Sequence, residues 1–219
     1  PDTTLFRSQN EIDFRYSEPL RAADHAVTFR AVVNTISARN GLYADFSPKP
    51  IKDKPGNGMH INISARESSG KDVLPFVIAG IMNRICDMTV FLNTSKESYE
   101  RLGFNKAPKY VSWSTENRSE LIRIPAASKK YRRAELRSPD PLCNPYIAFA
   151  LIIYAGLEGI KNETELPEAS DFNLSKAPRE AVEGLKTLPT TLESAKKLAK
   201  NSEFIASVLP AGLCECYFE

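Results

Sequence analysis

The sequence is poor in histidine, with two residues in 219, and in cysteine, with four. It carries almost no net charge, +2 at pH 7, and has neither an internal repeat nor a low-complexity tract. Near-neutrality argues against nucleic acid or an anionic membrane as partner, so any anion chemistry must come from local clusters of arginine and lysine. Cys86 and Cys143 sit in apolar stretches, where cysteine behaves as a small hydrophobe. The C-x-C of Cys214 and Cys216 has no second cysteine pair and no nearby histidine to complete a zinc site. All four read as reduced thiols, and the expected location is cytoplasmic. The polar opening residues read as no secretory leader. The most apolar run, Val73 to Leu92, is interrupted by Asn83, Arg84 and Asp87, and reads as a core helix rather than a membrane span of about 20 residues.

What is present is a globular composition, 42% hydrophobic and 26% charged, in a chain long enough for one large domain or two small ones. Ser17 can cap a helix with Pro19 in its first turn; Ala22, Ala26, Phe29, Val33 and Ile36 recur at helical spacing, and Asn40-Gly41 ends it. Pro75 to Leu92 is apolar nearly all round. Asn144-Pro145 opens a helix through Ile160, and Thr190 with Glu193 has the capping-box pattern for a helix to about Lys200. The stretch 163–183, with Pro167 and Pro178, reads as a surface connection.

Strand signals carry more information. Residues 11–16 (Glu-Ile-Asp-Phe-Arg-Tyr), 59–64 (Met-His-Ile-Asn-Ile-Ser) and 133–137 (Arg-Ala-Glu-Leu-Arg) alternate polar and apolar without a break, and 121–125, with Arg123, is a fourth candidate. If these share one antiparallel sheet, their apolar sets pack on helices and the opposite face carries Glu11, Asp13, Arg15, His60, Asn62, Ser64, Arg133, Glu135 and Arg137. Glu11, His60 and Glu135 suit a divalent cation such as Mg²⁺ or Mn²⁺, and arginines beside them suit carboxylate or phosphate oxygens. Metal plus arginine facing a phosphoryl group is one way such a transfer is stabilised. Alternation alone predicts a solvated sheet face with surface ion pairs equally well. The turn Gly56-Asn57-Gly58 before His60 allows a close backbone approach to a ligand, and equally a plain turn. His25, mid-helix among polar neighbours, is given no role.

Four segments, in order, resemble the glutamine synthetase family. Residues 9–14 (Gln-Asn-Glu-Ile-Asp-Phe) are similar to its GQNEIDF segment, and Pro48-Lys-Pro50 with Gly56-Asn-Gly-Met-His60 to its PKP…GSGMH. Residues 117–125 (Asn-Arg-Ser-Glu-Leu-Ile-Arg-Ile-Pro) resemble NRSxxIRIP, and 133–140 followed by 144–149 resemble RxExRxPD…NPYLAF. The resemblance runs from Gln9 to Ile160; residues 161–219 resemble the family's late helices loosely, and 1–8 match none of its motifs and read as foreign or divergent. It implies an α+β fold, a curved antiparallel sheet with helices on its apolar face, and one partial catalytic domain over 1–219.

The resemblance further implies ATP-dependent ligation of ammonia to L-glutamate through γ-glutamyl phosphate, with Mg²⁺ or Mn²⁺, in a ring-shaped homo-oligomer, a dodecamer in the family. It implies Glu11, His60 and Glu135 as metal ligands, and Gly56, Arg101 and Arg137 as glutamate-binding residues. Phe14, Arg15, Tyr16, Asn62, Ser64, Arg118, Arg123, Lys130 and Arg133 fall at nucleotide-contacting positions, with Arg118 and Arg123 catalytic. The family's small N-terminal β domain and its paired metal glutamates are expected upstream of Pro1, so these 219 residues alone are expected to be inactive. Four departures stand out. Thr3 holds the place of a ligand glutamate, Pro55 that of a substrate-loop asparagine, Asn62 that of a second histidine, and Lys106 that of the glutamate in the Glu-Ala-Pro flap. Lys106 opens two alternatives: a related ligase joining glutamate to a larger amine, or a paralogue with a regulatory role.

Overall fold

Alternating segments far apart in sequence meet as strands of one sheet. In the computed structural model of the chain, which describes residues 9–126, 132–170, 174 and 177–218, these are β1 (Ile61–Ile63), β2 (Trp113–Ser114), β3 (Ile122–Arg123) and β4 (Ala134–Leu136), in the order β1-β4-β3-β2. β4 runs antiparallel to both neighbours, with Asn62 opposite Glu135 and Arg123 opposite Glu135. β2, which no alternation announced, runs parallel to β3 with Ser114 opposite Arg123. The architecture is α+β as expected, with one parallel pair in the sheet. Directly paired residues face the same side of a sheet, so Asn62, Glu135, Arg123 and Ser114 share one face. Ile61, Leu136 and Ile122 share the other, are buried, and join one apolar cluster with the helices.

Those helices belong, with the sheet, to a compact unit spanning Asp45–Glu219. The first unit, Pro1–Ala44, holds α1 (Pro19–Arg39). The second holds α2 (Leu74–Leu92), α3 (Lys96–Arg101), α4 (Pro145–Lys161), α5 (Arg179–Val182), α6 (Leu192–Lys200), α7 (Glu203–Val208) and α8 (Ala211–Phe218). On length and composition α2 could cross a membrane, yet 72% of its most apolar window is buried within the chain, as a core helix requires. It crosses α4 at very short range. A Cβ on Gly80 would lie 2.1 Å from the Ala155 carbonyl oxygen, and one on Gly159 2.1 Å from that of Phe76. Only glycine permits that approach. α4 opens as expected, the Asn144 side chain accepting from Tyr146 N at 3.0 Å. All four thiols are free, Cys86, Cys143 and Cys214 buried and Cys216 exposed.

Several expectations are corrected. Residues 11–16 form no strand and contribute none to the sheet: alternation sorts side chains between two faces but does not supply a partner edge. Instead Phe14 sits edge-on to Phe29 of α1 at 5.4 Å. The N-cap of α1 is Glu18, at φ −58° and ψ 149°, rather than Ser17. A residue before proline is steered away from helical angles, so the helix cannot begin before Pro19. Ala22, Ala26, Phe29 and Val33 are half-buried as the periodicity implies, while Ile36 is exposed. The capping box of α6 is Thr191 with Ser194, not Thr190 with Glu193. Thr191 Oγ1 accepts from Ser194 N at 3.1 Å and Ser194 Oγ from Thr191 N at 3.2 Å, a register that buries Ala195 and Ala199. The connection 163–183 contains the short helix α5.

Candidate active site

The polar face of the sheet centres on Glu135, in the middle of β4. Its Oε1 accepts from Arg137 Nη1 at 2.7 Å and stands 3.0 Å from His60 Nδ1; its Oε2 is 3.0 Å from Arg123 Nε. Three cationic or imidazole groups thus converge on one carboxylate because β1, β4 and β3 are adjacent and His60 and Arg137 lie two residues from the Asn62–Glu135 pair. Glu135 is only 9% exposed. Burial alone would raise its pKa, but the His60 hydrogen bond and the Arg137, His60 and Arg123 charges outweigh it and bring the carboxyl down to about 2. Arg137 is lowered by its burial, which the Glu135 carboxylate opposes.

Arg137 is held from two sides. Its Nε donates to the Arg118 carbonyl at 2.9 Å while Nη1 holds Glu135. At the rim, Arg133 Nε donates to Asn62 Oδ1 at 3.1 Å. Arg118, Asn62, Ser64 and Arg133 are exposed, and Arg123 is half-buried.

Arg101, the last residue of α3, lies beneath this face. It is 3% exposed, and its guanidinium donates to the backbone carbonyls of Ser138 at 2.8 Å and Arg137 at 3.0 Å. Burial lowers its pKa to about 10, Arg137 adding to the effect and Asp140 opposing it. The room around Gly56 and Gly58 is used by the protein itself. A Cβ on Gly58 would lie 2.5 Å from Arg101 Nη2 and 2.9 Å from His60 Nε2, and one on Gly56 2.2 Å from the Pro48 carbonyl oxygen. Both glycines therefore let the turn close over Arg101 and beside His60.

Sequence reasoning missed the buried polar residues that brace this layer. Asn93 Nδ2 donates to Asp140 Oδ2 and to the Ser138 carbonyl, each at 2.9 Å, and both side chains are fully buried. Asp140 stood in plain view in the Ser-Pro-Asp run of 138–140, but nothing in a polar residue's spacing distinguishes a brace from a surface turn. The structure brings together His60, Glu135, Arg123, Arg137, Arg101 and Gly56. Glu11, Phe14, Arg15 and Tyr16 lie in the first unit, exposed and outside any strand. Lys130 lies outside the described residues.

Among the described residues no three His, Cys, Asp or Glu side chains form a metal-holding group. His60 and Glu135 nevertheless fit part of one. Glu135 Oε2 forms an ion pair with Arg123 Nε at 3.0 Å, and a bound cation would have to share that oxygen with the guanidinium. The second imidazole nitrogen of His60 faces the Gly58 turn while Nδ1 is held by the carboxylate.

The family model for the glutamine synthetase catalytic domain matches residues 5–219. The chain belongs to the glutamine synthetase family. The glutamine synthetase of Methanosarcina mazei is 43% identical over 220 residues, covering 92% of this chain and 48% of that protein. That of Pyrococcus abyssi is 41% identical over 204 residues, covering 86% and 46%. The chain thus spans about half the length of these curated relatives. Among solved structures, a complex of GmaS with ADP superposes with a TM-score of 0.82 at 27% identity, over 94% of this chain and 50% of that one. The relatives carry the name of a ligase, and the family implies use of ATP and a divalent metal.

Proposed function

We propose that the intact protein joins ammonia to L-glutamate at the expense of ATP, forming glutamine. One observation carries this reading: a buried Glu135 carboxylate gripped by Arg137, Arg123 and His60 on one sheet face. The glutamate side-chain carboxylate attacks the γ-phosphorus of ATP and ADP leaves. The nitrogen of ammonia then attacks the acyl carbon of the γ-glutamyl phosphate, and inorganic phosphate and a proton are released. Arg137, anchored through Nε and Nη1, supplies a fixed positive charge and its remaining N–H groups for a carboxylate, and Arg118, Arg123 and Arg133 supply charge for phosphoryl oxygens. Glu135 and His60 would hold Mg²⁺ or Mn²⁺, whose chemistry is to neutralise the phosphates in transfer, and Glu11 is given a metal-ligand role by family position alone. Phe14, Arg15, Tyr16, Asn62, Ser64 and Lys130 are assigned to the nucleotide by family position, and a homo-oligomeric, cytoplasmic protein fits the same reading.

A second reading, ligation of glutamate to a larger primary amine, draws on Lys106. This exposed residue follows Asn105, at φ 55°, in the tight turn after Gly103, where the family carries a glutamate. A lysine there does not attract ammonium. The test is product analysis on the intact protein with ATP, Mg²⁺ or Mn²⁺ and glutamate, first with ammonia and then with methylamine and ethylamine. Glutamine as the main product is the expected result; an alkylamide formed in preference would favour the second reading. Arg137→Lys should lose most of the activity, at least about tenfold, since a point charge replaces a planar fork. Unchanged kcat/KM for glutamate in that variant would remove Arg137 from the site.

A further inference from the structure

β2 and β3 are parallel neighbours, yet only residues 115–121 connect them. A parallel connection ordinarily needs about a dozen residues or more, commonly with a helix. This one turns back twice on itself, and polar side chains inside it make up the framework. Ser114 Oγ accepts from the backbone N–H groups of Glu116 and Asn117 at 3.2 Å each. Asn117 Oδ1 accepts from Ser119 N and Ser119 Oγ, both at 3.0 Å. Near its end is Glu120, 0% exposed, followed directly by the buried pair Leu121 and Ile122. Its Oε1 accepts from Asn117 Nδ2 at 3.0 Å, and its Oε2 accepts from the Ser112 hydroxyl just ahead of β2. No cation pairs with it among the described residues, unlike Glu135. Burial raises its pKa, and the Ser112 and Ser119 hydrogen bonds only partly oppose this.

We propose that Glu120 is a positioning residue: its carboxyl clasps Ser112 to Asn117, and so sets where the Arg118 carbonyl stands to receive Arg137. Arg118 is flanked on both sides by clasped residues, and its carbonyl is the acceptor that holds Arg137 Nε at 2.9 Å. Without the clasp the connection relaxes, the carbonyl moves, and Arg137 loses one of the two anchors that orient it against Glu135 and, through Glu135, His60. Gln at this position keeps the side-chain volume and an acceptor oxygen for Asn117, whereas Ala keeps neither. The consequence for glutamate binding rests on the function proposed above; the clasp does not.

The chain has two histidines, so its imidazole signals assign themselves once one is substituted. The experiment compares ¹⁵N-histidine spectra of the parent, Glu120→Ala and Glu120→Gln at one fixed pH, with thermal unfolding of each. Glu120→Ala should move the His60 signals and leave His25 in place, with Glu120→Gln closer to the parent. A Glu120→Ala protein that melts lower but keeps its His60 signals would make Glu120 a fold strut only, and would overturn the proposal. Signals of both histidines moving together would overturn it as well. If Glu120→Ala does not fold, Ser112→Ala removes one arm of the clasp and is read in the same way. In the intact protein, Glu120→Ala should raise KM for glutamate about tenfold, the scale of one charge-assisted hydrogen bond, with a smaller change in kcat. Absence of glutamate-dependent ATP turnover in the intact protein without substitution would instead sink the proposed function and leave the spectroscopic result standing.

Discussion

Leu136 and Glu135 are neighbours on β4, both buried, and face opposite sides of the same sheet. Leu136 meets the apolar cluster shared with α2 and α4, where any hydrophobe of similar volume would serve. Glu135 meets Arg137, Arg123 and His60, where only an anion of that length completes the arrangement. One face thus depends on volume and the other on charge, and removing either residue tests a different physical term.

The largest expected effect is on the charged face. Glu135→Ala leaves the Arg137 guanidinium, 4% exposed, and the half-buried Arg123 without a counter-charge. Removing one partner of a buried ion pair costs about 3–5 kcal/mol, and denaturant unfolding should register a loss of that order. A loss under about 1 kcal/mol, typical of exposed pairs, would mean that water screens this face despite its burial. Leu136→Ala comes next, at about 2–5 kcal/mol by the same measurement, from lost transfer energy plus the cavity left behind. Its activity per folded molecule should change less than that of Glu135→Ala. Equal losses of activity would erase the functional distinction between the faces.

A smaller effect is on the pH dependence of stability. Glu135 has a folded pKa of about 2, below the ordinary glutamate value near about 4.3, so its contribution is present above that ordinary value and lost as pH falls toward 2. Glu120 and Asp140 are raised by burial, so their contributions run the other way: present at low pH and lost as pH rises through their folded values. Unfolding free energies at pH 6 and pH 3 should therefore converge more for Glu135→Gln than for the parent. A parent and variant with the same slope over that window would show that Glu135 is not held as an anion by its partners.

Much of this was legible in one dimension. Unbroken alternation located β1 and β4, and Arg123 marked β3, because a half-buried strand must sort its side chains by parity. The same rule failed for residues 11–16, which alternate as cleanly yet pair with nothing in the sheet, since alternation carries no information about a partner edge. β2 went unread because two residues are too short for any period, and its parallel pairing depends on a connection held by Ser114, Asn117 and Glu120 from within. α2 and α4 were legible from composition and caps, but not that Gly80 and Gly159 are where they touch.

By itself, then, the sequence determined which side chains are apolar or polar by turn, where proline and asparagine start helices, and the ordered motifs shared with the glutamine synthetase family. These are local properties, carried by neighbours within a few residues. Only the tertiary structure decided that Glu135 sits between Arg137, Arg123 and His60, that Arg101 is buried beside them, and that Glu120 is a buried carboxyl held by Ser112 and Asn117. Those outcomes depend on strand register and on burial, which arise when segments many residues apart come into contact and water is excluded between them.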